Sequence, residues 1–537
     1  MRNTVRDVGT AGIIRDIKPQ LLPSKYWTDG RNIRFERQRI VNMGGVVEAK
    51  AKTGLINGAP ITSTTQSFLL YTTGTKVYSW EGTNEYDITR ASGGDYAEDV
   101  DNLFDIYAFN GFGLLNNGVD VPQLWDPSLA SNKLVALTNW TGTWVAKSLR
   151  PFKAFLIALN MTEGGTDYPH KMRWSHPAEA GAVPSSWDET DATKEAGEFS
   201  FPDTDRGVLV NGLEMGEEFY VYKEGSIWVF RYVGGSQILS RTLLTDFVGL
   251  RVKRSLVNLP YTRDSGQAQF FAGEDNFYLN NGFKITPVFE DVFRNEILKL
   301  ADPDNYVSRS FALVNHRYQE LWYCIPEVGE EYANLAFCFN FQNLTYSIRE
   351  LSGASNIVSK FGRILGGVSN QMDLSFSDDT LFSDGTGFLN LETIALAPVV
   401  LEASPDNAKL FYLDTGDLDY DGTTAYPAWV SRQSLATIKN DSRNPEAEIV
   451  DYNKRKVVTL VVPKLYKGSA SLDIGVQERE IDSVSWIGET VLDTSTYKHD
   501  LTTPISGRFI SFKFSRVGNQ AFEIGGFDYE INVLGMF

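Results

Sequence analysis

Short apolar runs separated by turns rich in Gly, Asn, Asp or Glu return again and again between residues 65 and 390. Runs of this kind, bounded by turn-forming residues, predict strands joined as hairpins, and no long amphipathic helical stretch interrupts them. Phe68-Leu69-Leu70-Tyr71 turns at Gly74 into Val77-Tyr78-Ser79-Trp80, residues 106–109 turn at Gly111, and residues 155–158 turn near Gly164. Phe219-Tyr220-Val221-Tyr222 turns at Gly225 into Ile227-Trp228-Val229-Phe230, and residues 269–272 turn at Asp275-Asn276 into Phe277-Tyr278-Leu279. Leu321-Trp322-Tyr323-Cys324 turns near Gly329 into residues 335–339, and a last turn stands at Asp384-Gly385. The unit recurs every 40 to 60 residues or roughly so, the spacing at which propeller blades repeat, and about five to seven blades fit.

Within residues 227–233 one strand face carries Ile227 and Val229 and the other Trp228, Phe230 and Tyr232. A strand apolar on both faces is covered on both sides, as a blade between two blades is; a β-sandwich core is the competing arrangement. The expected fold is therefore mainly β: a propeller-like repeat domain over 61–390, with an N-terminal arm or docking segment over 1–60 and a C-terminal β-sandwich-like domain over 391–537. The arm rests on Gly9, Gly12, Gly44 and Gly45 in a mixed polar stretch. The C-terminal domain rests on strand-like residues 457–463, 470–477, 509–514 and 527–533, reached through the polar stretch 439–446.

A chain of 537 residues exceeds the size at which one core stops growing, which agrees with more than one domain. Its formal charge of −18 argues against gripping nucleic acid, because phosphate binding runs on Lys and Arg. Acidity also keeps a large surface soluble. Residues 1–20 carry charges throughout and read as no export signal, and no stretch has the apolar length of a membrane helix. The two cysteines, Cys324 and Cys338, are expected as buried small apolar groups in a reduced compartment, with a cross-strand bridge as the lesser alternative.

The search for chemistry yields no catalytic, cofactor or metal residue to nominate. His170, His176, His316 and His499 lack the spacing of a zinc site, and the common nucleophile-elbow, phosphate-loop and zinc-protease strings are absent. Asp417, Asp419, Asp421 and Gly422 copy the opening of a calcium loop, but Ala428 stands where a bidentate Glu belongs, which favours an acidic surface turn. The strings at Ser377 to Thr380 and Ser383 to Gly387 fail the sialidase turn pattern and read as Asp-Gly turns. Trp140, Trp144, Trp174 and Trp187 are expected to fill blade interfaces in preference to stacking on sugars or bases.

One stretch has a family look. Gly12-Ile-Ile-Arg15-Asp16-Ile-Lys-Pro19-Gln-Leu-Leu-Pro23, then Tyr26-Trp27-Thr-Asp29-Gly30-Arg31-Asn32-Ile-Arg34-Phe35 and Met43-Gly44-Gly45, resembles the opening of tail nozzle proteins of short-tailed bacteriophages, also called tail hub or packaged-DNA stabilisation proteins. Arg173-Trp174-Ser175-His176-Pro177 with Trp187, the run from Gly216 to Gly235, and Phe277-Tyr278-Leu-Asn-Asn-Gly282 resemble later segments of that family, so the likeness covers residues 12 to 290. The resemblance implies a virion structural protein and no enzyme. It implies a homohexameric ring below portal and adaptor, tail fibres or tailspikes around it, and DNA passing without sequence-specific binding. Assembly would take place in the host cytoplasm. The competing readings are a propeller lectin or polysaccharide-degrading tail protein, and a bacterial repeat-propeller scaffold.

Overall fold

The computed structural model describes residues 2–534 apart from 53, 55, 63–66, 82, 100, 265, 352–360, 366–398, 403–408, 420 and 441–447. The chain is mainly β, and the longest helix among the described residues is Arg294–Leu300. Six four-stranded antiparallel sheets, each from consecutive strands, occupy residues 57–87, 105–136, 144–200, 209–245, 257–287 and 311–350. A seventh joins Phe361–Leu365, Val399–Glu402 and Lys409–Leu413 to Val46–Ala51, the strand that directly precedes the first sheet.

The first strand of each sheet lies beside the first strand of the next. Asn57–Thr62 neighbours Asp105–Phe109, which neighbours Trp144–Phe152, and so on through Leu209–Met215, Val257–Thr262 and Phe311–Asn315 to Phe361–Leu365. That last strand lies beside Asn57–Thr62, so the succession returns to its start.

The apolar pattern explains the stacking. Strand residues alternate between faces, and here both faces find a hydrophobic neighbour. Phe270 packs with Phe289, Leu321 and Tyr323 toward the sixth sheet, while Phe271 packs with Tyr222 and Ile227 toward the fourth. Trp322, Cys324 and Cys338 face Phe411 and Leu413 of the seventh sheet, and Tyr323 and Phe337 face the fifth. Each such aromatic, taken out of water, contributes about 1.5–3 kcal/mol. The expected double covering of residues 227–230 is found, but Arg231 and Tyr232 at the strand's end are exposed.

The two cysteines are free and buried. Cys324 pairs with Ala336 and Cys338 with Trp322, so they stand on neighbouring strands but not opposite each other.

Of the remaining strands, Thr437–Asn440 and Glu448–Val450 pair with each other, and the others form two sheets packed face to face. One runs Ile33–Glu36, Arg39–Asn42, Glu523–Val533, Lys456–Lys467, His499–Gly507, with Arg2–Arg6 also on Glu523–Val533. The other runs Asp29–Arg31, Trp429–Leu435, Phe509–Arg516, Ser469–Gln477, Ser485–Asp493. Phe512 and Phe514 of one sheet meet Phe527 of the other at 5.0 and 5.2 Å between ring centroids, and Trp27 closes on Phe514 and Phe527, each at 6.4 Å.

All four strand-like stretches expected beyond residue 391 are found here. The N-terminal arm is not. Residues 2–6 and 29–42 are strands of the paired sheets, because Val5, Ile33, Phe35 and Ile40 supply apolar faces that the core takes up. Residues 46–51 complete the seventh sheet. The expected boundary near 391, the turn at Asp384-Gly385 and the strings at 377–380 and 383–387 lie outside the described residues, as does most of the polar stretch 439–446.

Candidate functional site

Residues 8–45, which include strands of the paired sheets, also bond to the sixth and seventh sheets and so fasten one part to the other. Gly12 has φ +75°, and a side chain there would sit 2.5 Å from the Tyr346 backbone nitrogen, so only glycine fits. Next to it, Ile13 N donates to Tyr346 O at 2.9 Å and Arg15 N to Val292 O at 2.9 Å. Trp27, 1% exposed, donates its indole N–H to Val8 O at 3.0 Å. Thr28 N donates to Ser431 O and Asn32 N to Ile348 O, so one short stretch bonds to both parts of the molecule. Arg15 bridges Asp29 and Glu296. Gly44 and Gly45 lie against the backbones of Asp414 and Leu418, where a side chain would approach to 2.7 and 2.2 Å.

At the centre of this joint lie four buried charges. Arg34, from the paired sheets, places Nε 2.6 Å and Nη2 3.0 Å from the two Glu320 oxygens of the sixth sheet, and Nη2 3.2 Å from Asp414. Arg349 of the sixth sheet places Nη1 2.7 Å from the other Asp414 oxygen. Trp322 Nε1 donates to Glu320 at 2.9 Å, and Asn315 Nδ2 to Asp414 at 3.3 Å. The Arg34 guanidinium also stacks on Tyr318, 3.5 Å from the ring centroid. Two cations and two anions balance, which a dry interior requires. Burial pushes the Asp414 carboxyl up, but Arg34 and Arg349 outweigh it and hold the group below its usual range. Burial opposes the Arg34 charge, and Asp414 and Glu320 overcome it.

A second charged cluster joins the first strands of successive sheets. Asp105 of the second sheet accepts from Arg150 Nη2 of the third at 2.9 Å and from Lys253 Nζ, just before the fifth sheet, at 3.0 Å. Lys253 Nζ also donates to Lys147 O at 2.8 Å, and its carbonyl accepts from Asn211 Nδ2 of the fourth sheet at 2.9 Å. Burial, opposed by Asp105 and reinforced by Arg150 and Arg254, pulls the Lys253 ammonium down to about 8. Groups on or next to the second, third, fourth and fifth sheets are thus tied together.

The third cluster has the composition of a carbohydrate site. Arg173 reaches Glu163 at 2.6 Å, Glu189 at 2.6 Å and Glu198 at 2.7 Å, with Lys171 3.1 Å from Glu163 and the guanidinium over Trp144. Glycoside hydrolysis needs one carboxyl kept protonated as acid. Burial raises Glu163, but bonds to Arg173 and Lys171 lower it further than that, and Arg173 lowers Glu189. Glu163 and Glu189 are held as carboxylates, and the cluster as a whole is an ion-pair network. Trp140 and Trp187 are buried against each other, 4.8 Å between centroids, with Trp144 beside them at 5.9 Å; they pack between the second and third sheets as expected.

The calcium-like string forms a turn. Asp417 pairs with Arg516 at 2.9 Å, Asp421 accepts from Thr423 N and Thr424 N at 2.8 and 2.7 Å, and Ala428 is buried in the core. Among the described residues no group of three or more His, Cys, Asp or Glu is placed to hold a metal ion. The four histidines are dispersed; His176 Nδ1 accepts from Glu195 N at 3.0 Å, and burial lowers His170 and His316.

Sequence reading named Arg34 only within the family-like stretch and did not single out Glu320, Arg349 or Asp414. One signal was available: Arg34 stands between Ile33 and Phe35, Arg349 follows Ile348, and Glu320 precedes Leu-Trp-Tyr-Cys, each a charge inside an otherwise apolar strand. No family model matches the chain, and no curated protein matches it either. Among the described residues, no helix is long and apolar enough to cross a membrane.

Proposed function

We propose that this chain is a structural subunit of the tail nozzle of a short-tailed bacteriophage. As part of a homohexameric ring below portal and adaptor, it would retain packaged DNA, conduct it on ejection and offer attachment to tail fibres or tailspikes. In this reading the seven sheets are the blades of a propeller closed by Val46–Ala51, and the paired sheets are a β-sandwich seated on it. Closure of this kind leaves few exposed sheet edges and makes opening the ring depend on breaking the borrowed strand.

The observation that carries the reading is the role of the N-terminal residues that resemble nozzle proteins. Gly12, Trp27, Asn32, Arg34 and Gly44–Gly45 are the fastening between propeller and sandwich. A motif spent on rigidity suits a protein whose task is mechanical. The charge clusters point the same way, since each is consumed in holding elements together. Asp105, Arg150 and Lys253 tie the first strands of neighbouring sheets together, and in this reading a duplex passes between copies and not through one. Six copies carry a formal 6 × −18 = −108, and carboxylates along a conduit would repel phosphate and keep DNA moving.

The test is gradient sedimentation of the purified chain with and without the phage's portal–adaptor complex, with masses read by mass photometry. Six copies on each portal complex support the proposal. A chain that ignores the portal overturns it, and release of reducing ends from host polysaccharide would then favour the polysaccharide-degrading reading.

A further inference from the structure

The seventh sheet is put together differently from the other six. Three of its strands follow one another in the chain, but the fourth, Val46–Ala51, comes from ahead of the first sheet and is joined to Lys409–Leu413 by backbone pairing, with an irregularity between Leu410 and Phe411. Just before that strand, Gly45 N donates to Gly416 O at 2.9 Å, Thr415 N to Gly45 O at 3.1 Å and Val46 N to Leu418 O at 2.8 Å. Residues 43–51 are thus a strap laid along residues 409–418. Met43, Val46, Phe411 and Leu413 pack on Trp322, Cys324 and Cys338 of the sixth sheet in a hydrophobic cluster of their own. The opposite face of the sixth sheet belongs to the larger core that it shares with the fifth sheet and the paired sheets.

The fastening of this seam is polar and strained. Asp414, at the end of Lys409–Leu413, has φ +55°, a left-handed backbone that costs a residue with a side chain and persists only where its surroundings enforce it. The enforcing groups stand across the seam: Arg34 at 3.2 Å, Arg349 at 2.7 Å and Asn315 Nδ2 at 3.3 Å. Asn315 Oδ1, buried beside them, has no hydrogen-bond partner among the described residues, and a buried oxygen left so weakens the closed arrangement. A seam whose apolar contact is a separate cluster, and whose polar fastening converges on one strained carboxylate, can part while the larger core stays packed.

We propose that Val46–Ala51 and Lys409–Leu413 lift off the sixth sheet together, a local opening latched by Asp414, while the remaining sheets keep their packing. The inference rests on the fold and is independent of the nozzle reading. Cys324 and Cys338 are its probes, since both are free, buried in the seam, and have thiols pushed up by burial. The full chain carrying Ala158→Cys, at a fully buried position between the second and third sheets, supplies a third thiol that only wider unfolding should reach. Labelling with a maleimide is followed by peptide mass spectrometry at urea concentrations below the unfolding transition. Cys324 and Cys338 should label faster than the Ala158→Cys thiol and with little urea dependence, because a small opening exposes little surface, whereas the Ala158→Cys thiol should show the steep dependence of unfolding. Asp414→Asn should speed labelling of Cys324 and Cys338 by more than about tenfold. Gly12→Ala, which disturbs the joint at Tyr346 and not the seam, should leave their labelling unchanged. The same urea dependence at all three thiols overturns the inference, as does a smaller gain from Asp414→Asn or an equal gain from Gly12→Ala. If Asp414→Asn fails to fold, the urea dependence of the three thiols decides alone.

Discussion

Asp414 stands between Arg34 and Arg349 at 3.2 and 2.7 Å, with 1% of its side chain exposed. Asp414→Asn preserves the shape and deletes one charge, leaving two buried guanidinium groups to share the carboxylate of Glu320. Stripping one partner from a buried ion pair costs about 3–5 kcal/mol, and the expected loss lies in that range. Urea unfolding of the full chain, followed by tryptophan fluorescence, reads it, because Trp322 is bonded to the network through Glu320. Asp264→Asn, at an exposed carboxylate, is the control and should stay within about 0.5 kcal/mol of wild type.

Combining Asp414→Asn with Arg349→Met restores neutrality. The double variant should therefore lose less than the sum of the single losses, by about 0.5–3 kcal/mol. The pH dependence has a fixed sign. The folded carboxyl titrates below its ordinary 3.8, so its contribution is complete above that value and fades as pH falls through the lower folded value. The acid-side decline of Asp414→Asn should be shallower than that of wild type. A loss under about 1 kcal/mol, or strict additivity in the double variant, would refute the account of the joint.

Gly12→Ala should destabilise by about 1–3 kcal/mol, since φ is +75° and the added carbon meets Tyr346 at 2.5 Å; Gly142→Ala, with open space around it, should be neutral in the same thermal melts. Lys456, 1% exposed, donates to the carbonyls of Asp451, Lys454 and Arg508, and burial pulls it from 10.5 to about 8. Between those values the unfolded chain holds a proton that the folded chain lacks, so stability relative to Lys456→Met should rise with pH across that window and be flat below it. The purified chain should not retain duplex DNA at low salt in a filter-binding assay; retention like that of a basic protein would contradict the acidic-conduit argument.

The hairpins of the four-stranded sheets were legible because each carries its own signals: Phe219 to Tyr222, a turn at Gly225 and Ile227 to Phe230 lie within one short window. The N-terminal strands were not, because their partners are distant. Arg2 faces Glu530, Asp29 faces Ser431, and Val46 faces Leu413, and no local pattern announces such pairings. Ser485–Asp493 and His499–Gly507 escaped notice for a different reason: Gly488 and Pro504 interrupt them, and edge strands need no continuous apolar face. The four joint charges resemble solvated surface charges until tertiary packing buries them.

The most direct test of the central claim is cryo-electron microscopy of the chain assembled with its portal and adaptor. The account predicts sixfold rings with an open axis between copies, each copy a closed seven-bladed body with the sandwich fastened through residues 8–45. Compact single copies that leave the portal bare, or a ring whose passage runs through the middle of each subunit, would contradict it.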